Sequence, residues 1–382
     1  MIVANILEES RLGGPQIRLA RVGEELIKHN VKTVVVSPFY NYADFKQLCE
    51  KKKLTFKAVQ IQKLNKKPTQ VIKFLLYFIK DIFTLYKILK KINADLVHIS
   101  GGSWQIRGLI ASYFLNKPII WHLNDTFMPK VILVFFKLLK TLATGYIFAS
   151  KRSFKLYRIN ISQPYRIIHS TIDTNYFKKT STNKKFNFNK LNNKKIIINI
   201  SNISPVKNIE CLILSISLIK KKVSNVHLII IGNTFESQLV YKKKILNMIN
   251  NFDLNDNISF FEKITDVRPY LNIASLYICT SNYESSPLSV WEAMSMCLPI
   301  VSTDVGDLKE YIKNNTNGYI VKQNDFKSIA KHSIEILKNK EKFKSFGKFN
   351  RNIAVKNFSI NNIALQTLDF YRSIHKKFYK LN

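Results

Sequence analysis

Glu284 and Glu292 bracket the run Glu284-Ser285-Ser286-Pro287-Leu288-Ser289-Val290-Trp291-Glu292, with seven residues between the two carboxylates. Carboxylates accept charge-assisted hydrogen bonds from hydroxyl groups. Between them, Ser286-Pro287 reads as a helix start, with Ser in the cap position and Pro at the first helical residue, where no amide is lost. An apolar strand, Leu276-Tyr277-Ile278-Cys279, runs into this turn. Glu284 then belongs on the loop at the strand's C-terminal end, and Glu292 one to two turns inside the following helix. The first helical amides, at Leu288 and Ser289, face an anion with the positive end of the helix dipole. Hydroxyls on either side of a phosphate are the layout of a sugar nucleotide.

Three further clusters carry candidate chemistry. Gly13-Gly14, in Ser10-Arg11-Leu12-Gly13-Gly14-Pro15-Gln16, follows a first strand and precedes a helix. It allows close backbone approach to a phosphate or sugar, although it is neither GxGxxG nor a P-loop. His122 ends the strand Ile119-Ile120-Trp121-His122. Such a His is either a satisfied core residue or a contact at the strand's C-terminal edge. Asn202 and Lys207, in Ser201-Asn202-Ile203-Ser204-Pro205-Val206-Lys207-Asn208, bring a hydrogen-bonding side chain and a charge to the segment that opens the second domain.

The elements that must position these groups follow from hydrophobic patterning. Strands are expected at 2–7, 32–37, 95–99, 118–122, 145–149, 165–169, 195–201, 226–231, 257–261, 276–280, 299–302 and 318–321. Several are Ile/Val-rich throughout, which suits parallel strands buried on both faces. Helices are expected at 16–29, 72–91, 130–142, 208–222, 238–251, 289–296 and 327–338. Strand–helix alternation twice over predicts two doubly wound α/β domains. They divide as 1–177; 178–195, a polar linker or surface excursion; and 196–357; a further helix is expected at 358–382.

The run Glu284 to Glu292 resembles the Glu-x7-Glu signature of the family 4 retaining glycosyltransferases. Glu292-Ala293-Met294, Leu298-Pro299-Ile300-Val301, Val305-Gly306 and Asn317-Gly318-Tyr319-Ile320-Val321 follow in the family's order. The resemblance implies the GT-B fold, two Rossmann-like domains facing an interdomain cleft, with 1–177 binding the acceptor, 196–357 binding the nucleotide sugar, and the helix at 358–382 packing back on the N-terminal domain. It implies retaining transfer of a sugar from a nucleotide-sugar donor to an acceptor hydroxyl, without a metal or cofactor. By the same resemblance His122 and Glu284 position the transferred sugar, and Glu292 holds the ribose hydroxyls. Lys207, Asn202 and the amides of Leu288 and Ser289 hold the diphosphate. Gly13-Gly14 approaches the phosphate and the acceptor. His98 is read as structural or as lining the cleft, and Asp173 and Phe177 as structural. Three positions depart from the family pattern: Asn202 stands where Arg is usual, Cys297 where Gly is usual, and Asp307 where a second Gly often follows Gly306.

Composition narrows the partners. Sixty Lys and Arg against 25 Asp and Glu leave a formal charge of +35 on 382 residues, which favours polyanions. No nucleic-acid motif occurs, so nucleic acid is not expected as a partner. The expected acceptor is a glycan or lipid-linked, as in synthesis of cell-surface polysaccharide, lipopolysaccharide or glycolipid. Lys73, Lys80, Thr84, Lys87 and Lys91 form a polar stripe on an otherwise apolar helix at 72–91, and 130–140 is similar. Each is either a core helix with a solvated Lys face or, with Lys51-Lys52-Lys53 and Lys66-Lys67 nearby, a helix on an anionic membrane surface. Met1-Ile2-Val3-Ala4-Asn5-Ile6-Leu7 reads as a first strand, and the four scattered cysteines as reduced thiols. A cytoplasmic protein, peripheral on the inner face of the plasma membrane, fits these readings. The alternatives are a non-catalytic nucleotide-sugar binder, an epimerase-like enzyme of the same fold, and a basic adaptor.

Overall fold

In the computed structural model the described residues are 1–64, 68–157, 162–180 and 191–381. Most of the expected linker, and the Lys66-Lys67 pair, lie outside them. The chain divides into two compact units: Met1–Ile172 with Ile360–Asn382, and Asp173–Ser359.

The first unit is a seven-stranded parallel sheet. Its strands are β1 (Ile2–Ile6), β2 (Lys32–Pro38), β3 (Thr55–Val59), β4 (Leu96–Ser100), β5 (Ile119–Leu123), β6 (Gly145–Phe148) and β7 (Tyr165–Ile167). They lie in the order β3-β2-β1-β4-β5-β6-β7. The connecting helices are α1 (Gly14–Ile27), α2 (Ala43–Lys51), α3 (Pro68–Leu76), α4 (Phe78–Ile92), α5 (Ile106–Tyr113), α6 (Lys130–Leu139) and α7 (Lys151–Tyr157). One sheet face is covered by α4 to α7, where Leu85, Leu89, Leu109, Phe136 and Tyr157 share a core with Trp121 and Phe148. The other face carries α1 and a final helix, α15 (Ile360–Leu381). Val22 and Leu26 of α1 pack there with Ile363, Leu368, Tyr371 and Ile374 of α15 against Val3, Leu96 and Ile120.

The second unit is a six-stranded parallel sheet in the order β10-β9-β8-β11-β12-β13. The strands are β8 (Lys195–Ile200), β9 (Val226–Ile231), β10 (Ile258–Phe261), β11 (Leu276–Cys279), β12 (Ile300–Thr303) and β13 (Gly318–Val321). Helices α8 (Ile209–Lys220), α9 (Leu239–Asn251), α10 (Arg268–Ile273), α11 (Leu288–Ser295), α12 (Leu308–Tyr311), α13 (Phe326–Lys338) and α14 (Lys340–Phe358) complete it. Side-chain caps fix several helix starts: Asn208 accepts from Cys211 N, Asp325 from Ser328 N and Asn339 from Lys342 N. Both sheets share one device. The chain moves outward from β1 and from β8, then crosses to the other side to lay down β4 and β11. Each unit therefore has a topological switch point, the place where open α/β sheets bind ligands.

All twelve expected strands occur. The unanticipated one, β3, is an edge strand whose only buried residue is Val59, so it carries no apolar run to read. The helix expected over 72–91 is two helices, broken at Tyr77. Their apolar residues divide between a core face, with Phe74, Leu85 and Leu89 buried, and an exposed face. Asp81, Leu85 and Leu89 are the buried positions of α4, while Leu75, Leu76, Ile79 and Phe83 are all more than 60% exposed.

Candidate functional site

In the second unit, the loops after β8 and β11 meet at the switch point. After β8 the chain makes a short 3₁₀ turn at Pro205–Lys207, and Asn208 leaves it in the left-handed region (φ 51°) to begin α8. The loop after β11 is laced to this turn. Thr280 Oγ1 donates to Lys207 O at 2.9 Å, and Asn282 N donates to Val206 O at 2.8 Å. Across the junction Lys207 Nζ donates to Glu284 Oε1 at 2.5 Å, and Ser281 Oγ donates to the same oxygen at 2.9 Å. Burial works against the Lys207 charge, but the Glu284 carboxylate outweighs it and holds the ammonium pKa above its ordinary value.

Glu292 lies in the second turn of α11 and is buried. The start of that helix differs from the expected one. Pro287 is the cap residue, extended at φ −70° and ψ 99°, and the helix begins at Leu288. Ser286 is not the cap: its Oγ accepts the indole N–H of Trp291 at 3.0 Å. Leu288 and Ser289 are then the first two helical residues, whose amides have no intrahelical acceptor. The Ser289 hydroxyl accepts from Tyr277 Oη at 2.8 Å, and the same phenol oxygen accepts from Ile200 N at 3.4 Å. Buried Tyr277 thus pins the start of α11 to the end of β8. Asn202 is exposed on the loop after β8.

Gly306 sets the position of the Glu284 loop. Its φ is +53°, and a Cβ there would stand 2.3 Å from Ser285 O. Cys297 occupies the left-handed region at φ 58°, directly after α11. There Cys297 N donates to Met294 O and Leu298 N to Ala293 O, the paired bonds of a Schellman helix end. Glycine satisfies that geometry without strain. Asp307, at φ −104°, has no such demand.

In the first unit, Gly13 is the extended residue before α1 and Gly14 its first residue. Neither has a positive φ, and a Cβ on Gly14 would meet no atom within 4 Å. Packing inside the unit does not require glycine there. His122 is the penultimate residue of β5, in register with Ser100 of β4. It is buried, its Nδ1 lies 3.3 Å from His98 Nε2, and His98 Nδ1 lies 2.5 Å from Tyr371 Oη. Burial, the nearby Arg18 guanidinium and His98 hold the His122 pKa well below its ordinary value, so the ring is neutral. Its Nε2 is buried without a hydrogen-bond partner among the described residues.

Sequence reasoning missed the supports of this region. Arg107 is fully buried, with its Nε on Glu8 Oε2 and its Nη1 on Asp81 Oδ2, both at 2.7 Å. Glu8 also accepts from Gly108 N, so the chain leaving β1 is tied to α4 and α5. Asp125, after β5, accepts from Tyr157 Oη at 2.6 Å and from Ser103 N at 2.9 Å. Burial raises its pKa. A lone Arg in an apolar stretch, Gln105-Ile106-Arg107-Gly108-Leu109-Ile110, was the available signal.

Two family models divide the chain between them. The model described as Glycosyltransferase Family 4 matches residues 12–176, and that described as Glycosyl transferases group 1 matches residues 180–353. Over 199 residues the chain is 27% identical to N-acetyl-alpha-D-glucosaminyl L-malate synthase of Bacillus anthracis, covering 52% of this chain and 51% of that one. Over 180 residues it is 29% identical to the poly(ribitol-phosphate) alpha-N-acetylglucosaminyltransferase of Staphylococcus aureus, covering 47% and 36%. The chain thus spans about half or less of the length of these two relatives. Among solved structures, Anabaena HepE in complex with UDP and glucose aligns with a TM-score of 0.79 at 18% identity, over 97% of this chain and 99% of that one. Staphylococcus aureus TarM aligns with a TM-score of 0.75 at 15% identity, over 98% of both chains.

Proposed function

We propose, from the premise that this chain belongs to the family 4 glycosyltransferases, that it is a retaining, metal-independent hexosyltransferase with a nucleotide-sugar donor and no resident cofactor. The observation that carries the donor site is the pairing of Lys207 with Glu284 where β8 and β11 part, next to the start of α11. A diphosphate placed there meets one ammonium, held ready by a carboxylate, and the amides of Leu288 and Ser289. Asn202 adds a hydrogen bond where the family usually supplies a second charge. Glu292 takes the ribose hydroxyls, and Glu284 and His122 orient the sugar. The negative charge that develops on the leaving diphosphate is thereby met by fixed donors, which is how such a site accelerates cleavage. The leaving phosphate helps to take the acceptor's proton, and no protein nucleophile is assigned. The space beside Gly14 serves the approach of phosphate or acceptor. The alpha linkage in the name of the Staphylococcus aureus relative supports the retaining reading.

The acceptor is a glycan or is lipid-linked, in cell-surface polysaccharide or glycolipid synthesis. The first unit supports a membrane-facing acceptor. Ile72, Leu75, Leu76, Ile79 and Phe83 of α3 and α4, and Val131, Val134 and Leu138 of α6, are exposed, with Lys73, Lys80, Lys130 and Lys137 exposed among them. Apolar side chains interleaved with lysines fit the boundary of an anionic bilayer. No helix among the described residues is long and apolar enough to cross one.

Release of free nucleotide from a panel of nucleotide sugars, with and without glycan or lipid-linked acceptors, tests the reaction. Acceptor-dependent release with an α-linked product is expected. Tight donor binding with no release under any acceptor would favour a non-catalytic binder. Co-sedimentation with phosphatidylglycerol vesicles tests the surface, and a protein that ignores them at low salt has no such face.

A further inference from the structure

Arg18, His98, His122 and Tyr371 form one buried polar cluster on the α1 and α15 side of the first sheet, otherwise lined by Val22, Leu96, Ile120 and Leu368. Tyr371 Oη, His98 and His122 are linked in series, at 2.5 Å and 3.3 Å. Both imidazoles are neutral: burial, with Arg18 next in weight, lowers His98 to about 3 and His122 well below its usual value. Two neutral imidazoles and a phenol hold three protons for two hydrogen bonds, so only two arrangements complete the series. In one, Tyr371 O–H donates to His98 Nδ1, His98 Nε2–H donates to His122 Nδ1, and His122 keeps its proton on Nε2. In the other, every bond reverses and His122 Nε2 is a bare lone pair.

The second arrangement needs a different acceptor for the buried Tyr371 hydroxyl proton. Among the described residues Tyr371 Oη has only His98 as a hydrogen-bond partner. Buried Asn5 and Ser100, in register with His98 and His122, are bonded to each other, Ser100 Oγ donating to Asn5 Oδ1 at 2.8 Å, and the Arg18 guanidinium has donors alone. Each arrangement leaves one buried donor without an acceptor, His122 Nε2–H in the first and Tyr371 O–H in the second; what separates them is the cation beside the phenol, which favours lone pairs toward it and the proton away, onto His98. The first arrangement is selected.

We infer that Tyr371, acting through His98, is a positioning residue that fixes His122 in the Nε2–H tautomer, so that His122 donates a hydrogen bond to an oxygen of the transferred sugar. His122 then recognises a lone pair on that sugar and takes no proton from it. The unpartnered, buried Nε2 is the donor left over for the ligand. Its use in turnover rests on the proposed contact between His122 and the sugar, whereas the tautomer itself does not.

The test combines histidine ring ¹⁵N spectroscopy with kinetics. In wild-type protein, long-range ¹H–¹⁵N correlations of the seven histidines, assigned with His98→Gln and His122→Gln, are expected to show both rings protonated at Nε2. Tyr371→Phe keeps the ring in its apolar surroundings, so the fold is retained, and thermal unfolding checks it. In that variant the His122 ring nitrogens should move toward the averaged values of a tautomer mixture. Turnover should fall several-fold, with KM for the nucleotide sugar unchanged. A wild-type His122 protonated at Nδ1, or an unaltered His122 spectrum in Tyr371→Phe, overturns the inference. A shifted tautomer with undiminished turnover upholds the relay and overturns the sugar contact proposed for His122.

Discussion

Lys207 and Glu284 lie 77 positions apart in the chain, and their side chains meet at 2.5 Å across the loops that leave β8 and β11. Both are mostly covered, at 23% and 18% side-chain exposure, so solvent screens the pair only in part. Glu284 holds the ammonium in place before any ligand arrives. The same carboxylate competes with a diphosphate for that ammonium. The pair therefore orients the site and restrains it at once, and its two members should respond in opposite ways to substitution.

Lys207→Gln removes the charge proposed to meet the diphosphate. A charge-assisted hydrogen bond contributes about 1.5–3 kcal/mol, so affinity for the nucleotide sugar should fall about 10- to 100-fold. Glu284→Gln keeps the shape and can still accept from Ser281, but releases Lys207. Nucleotide affinity should hold or rise, while turnover falls because the sugar loses an oriented carboxylate. Calorimetry with the nucleotide diphosphate alone, set beside steady-state rates, separates the two. Equal losses of affinity in both variants would show that the pair acts as structure only.

Glu292→Ala should weaken nucleotide-sugar binding by about 1.5–3 kcal/mol, because it removes the charged acceptor proposed for the ribose hydroxyls. Affinity should be the same with and without a chelator. Calorimetry under both conditions measures this. An unchanged affinity in the variant removes Glu292 from the site, and loss of binding with chelator refutes the metal-independent reading.

Much of this arrangement is legible in the sequence because it depends on short-range pattern. Ile196-Ile197-Ile198 and Leu228-Ile229-Ile230-Ile231 can only be strands buried on both faces, and all are fully or nearly buried. Glu284 and Glu292 are readable because a strand, a turn and a helix fix their separation. What escapes is what depends on distant partners. Ser286 looks like a cap until Trp291, five residues on, claims its hydroxyl. The helix at 72–91 has the apolar content of a core element, yet only burial shows that Asp81 is inside, on Arg107, and Leu76 outside. The link from Tyr371 to His98 spans 273 positions and leaves no local pattern.

Gly306→Ala should impair the donor site without a catalytic group being touched. At φ +53° an alanine is strained, and its Cβ would stand 2.3 Å from Ser285 O, so the segment bearing Glu284 must shift. Nucleotide-sugar affinity should fall at least tenfold, with the far-ultraviolet circular dichroism retained. Normal affinity would mean that the loop adjusts without moving Glu284.

Cys297→Gly should stabilise the second unit. A non-glycine residue in the left-handed region costs roughly 1–2 kcal/mol, and a glycine there gives back about 0.5–1 kcal/mol through the entropy of the unfolded chain. The net gain is about 0.5–1 kcal/mol, read as a higher denaturant midpoint with an unchanged slope. A lower midpoint would mean that the Cys297 side chain contributes more by packing than its backbone costs.

Acid should loosen the first unit through its two buried histidines. His98 stands at about 3 in the fold, chiefly by burial, against about 6.5 in an unfolded chain. Above pH 6.5 the ring is neutral in both states and stability is unaffected. Below it, the unfolded chain takes up a proton that the fold refuses, so stability falls as pH falls. The loss is about 1.4 kcal/mol per pH unit for this one residue, continuing until about pH 3. His122, lowered by burial in the same direction, adds to it. Urea unfolding between pH 7 and pH 4, compared for wild type and His98→Gln, measures the contribution. The variant should show the shallower decline, by about 1.4 kcal/mol per unit. Parallel curves would mean that the fold does not hold the His98 pKa below its value in the unfolded chain.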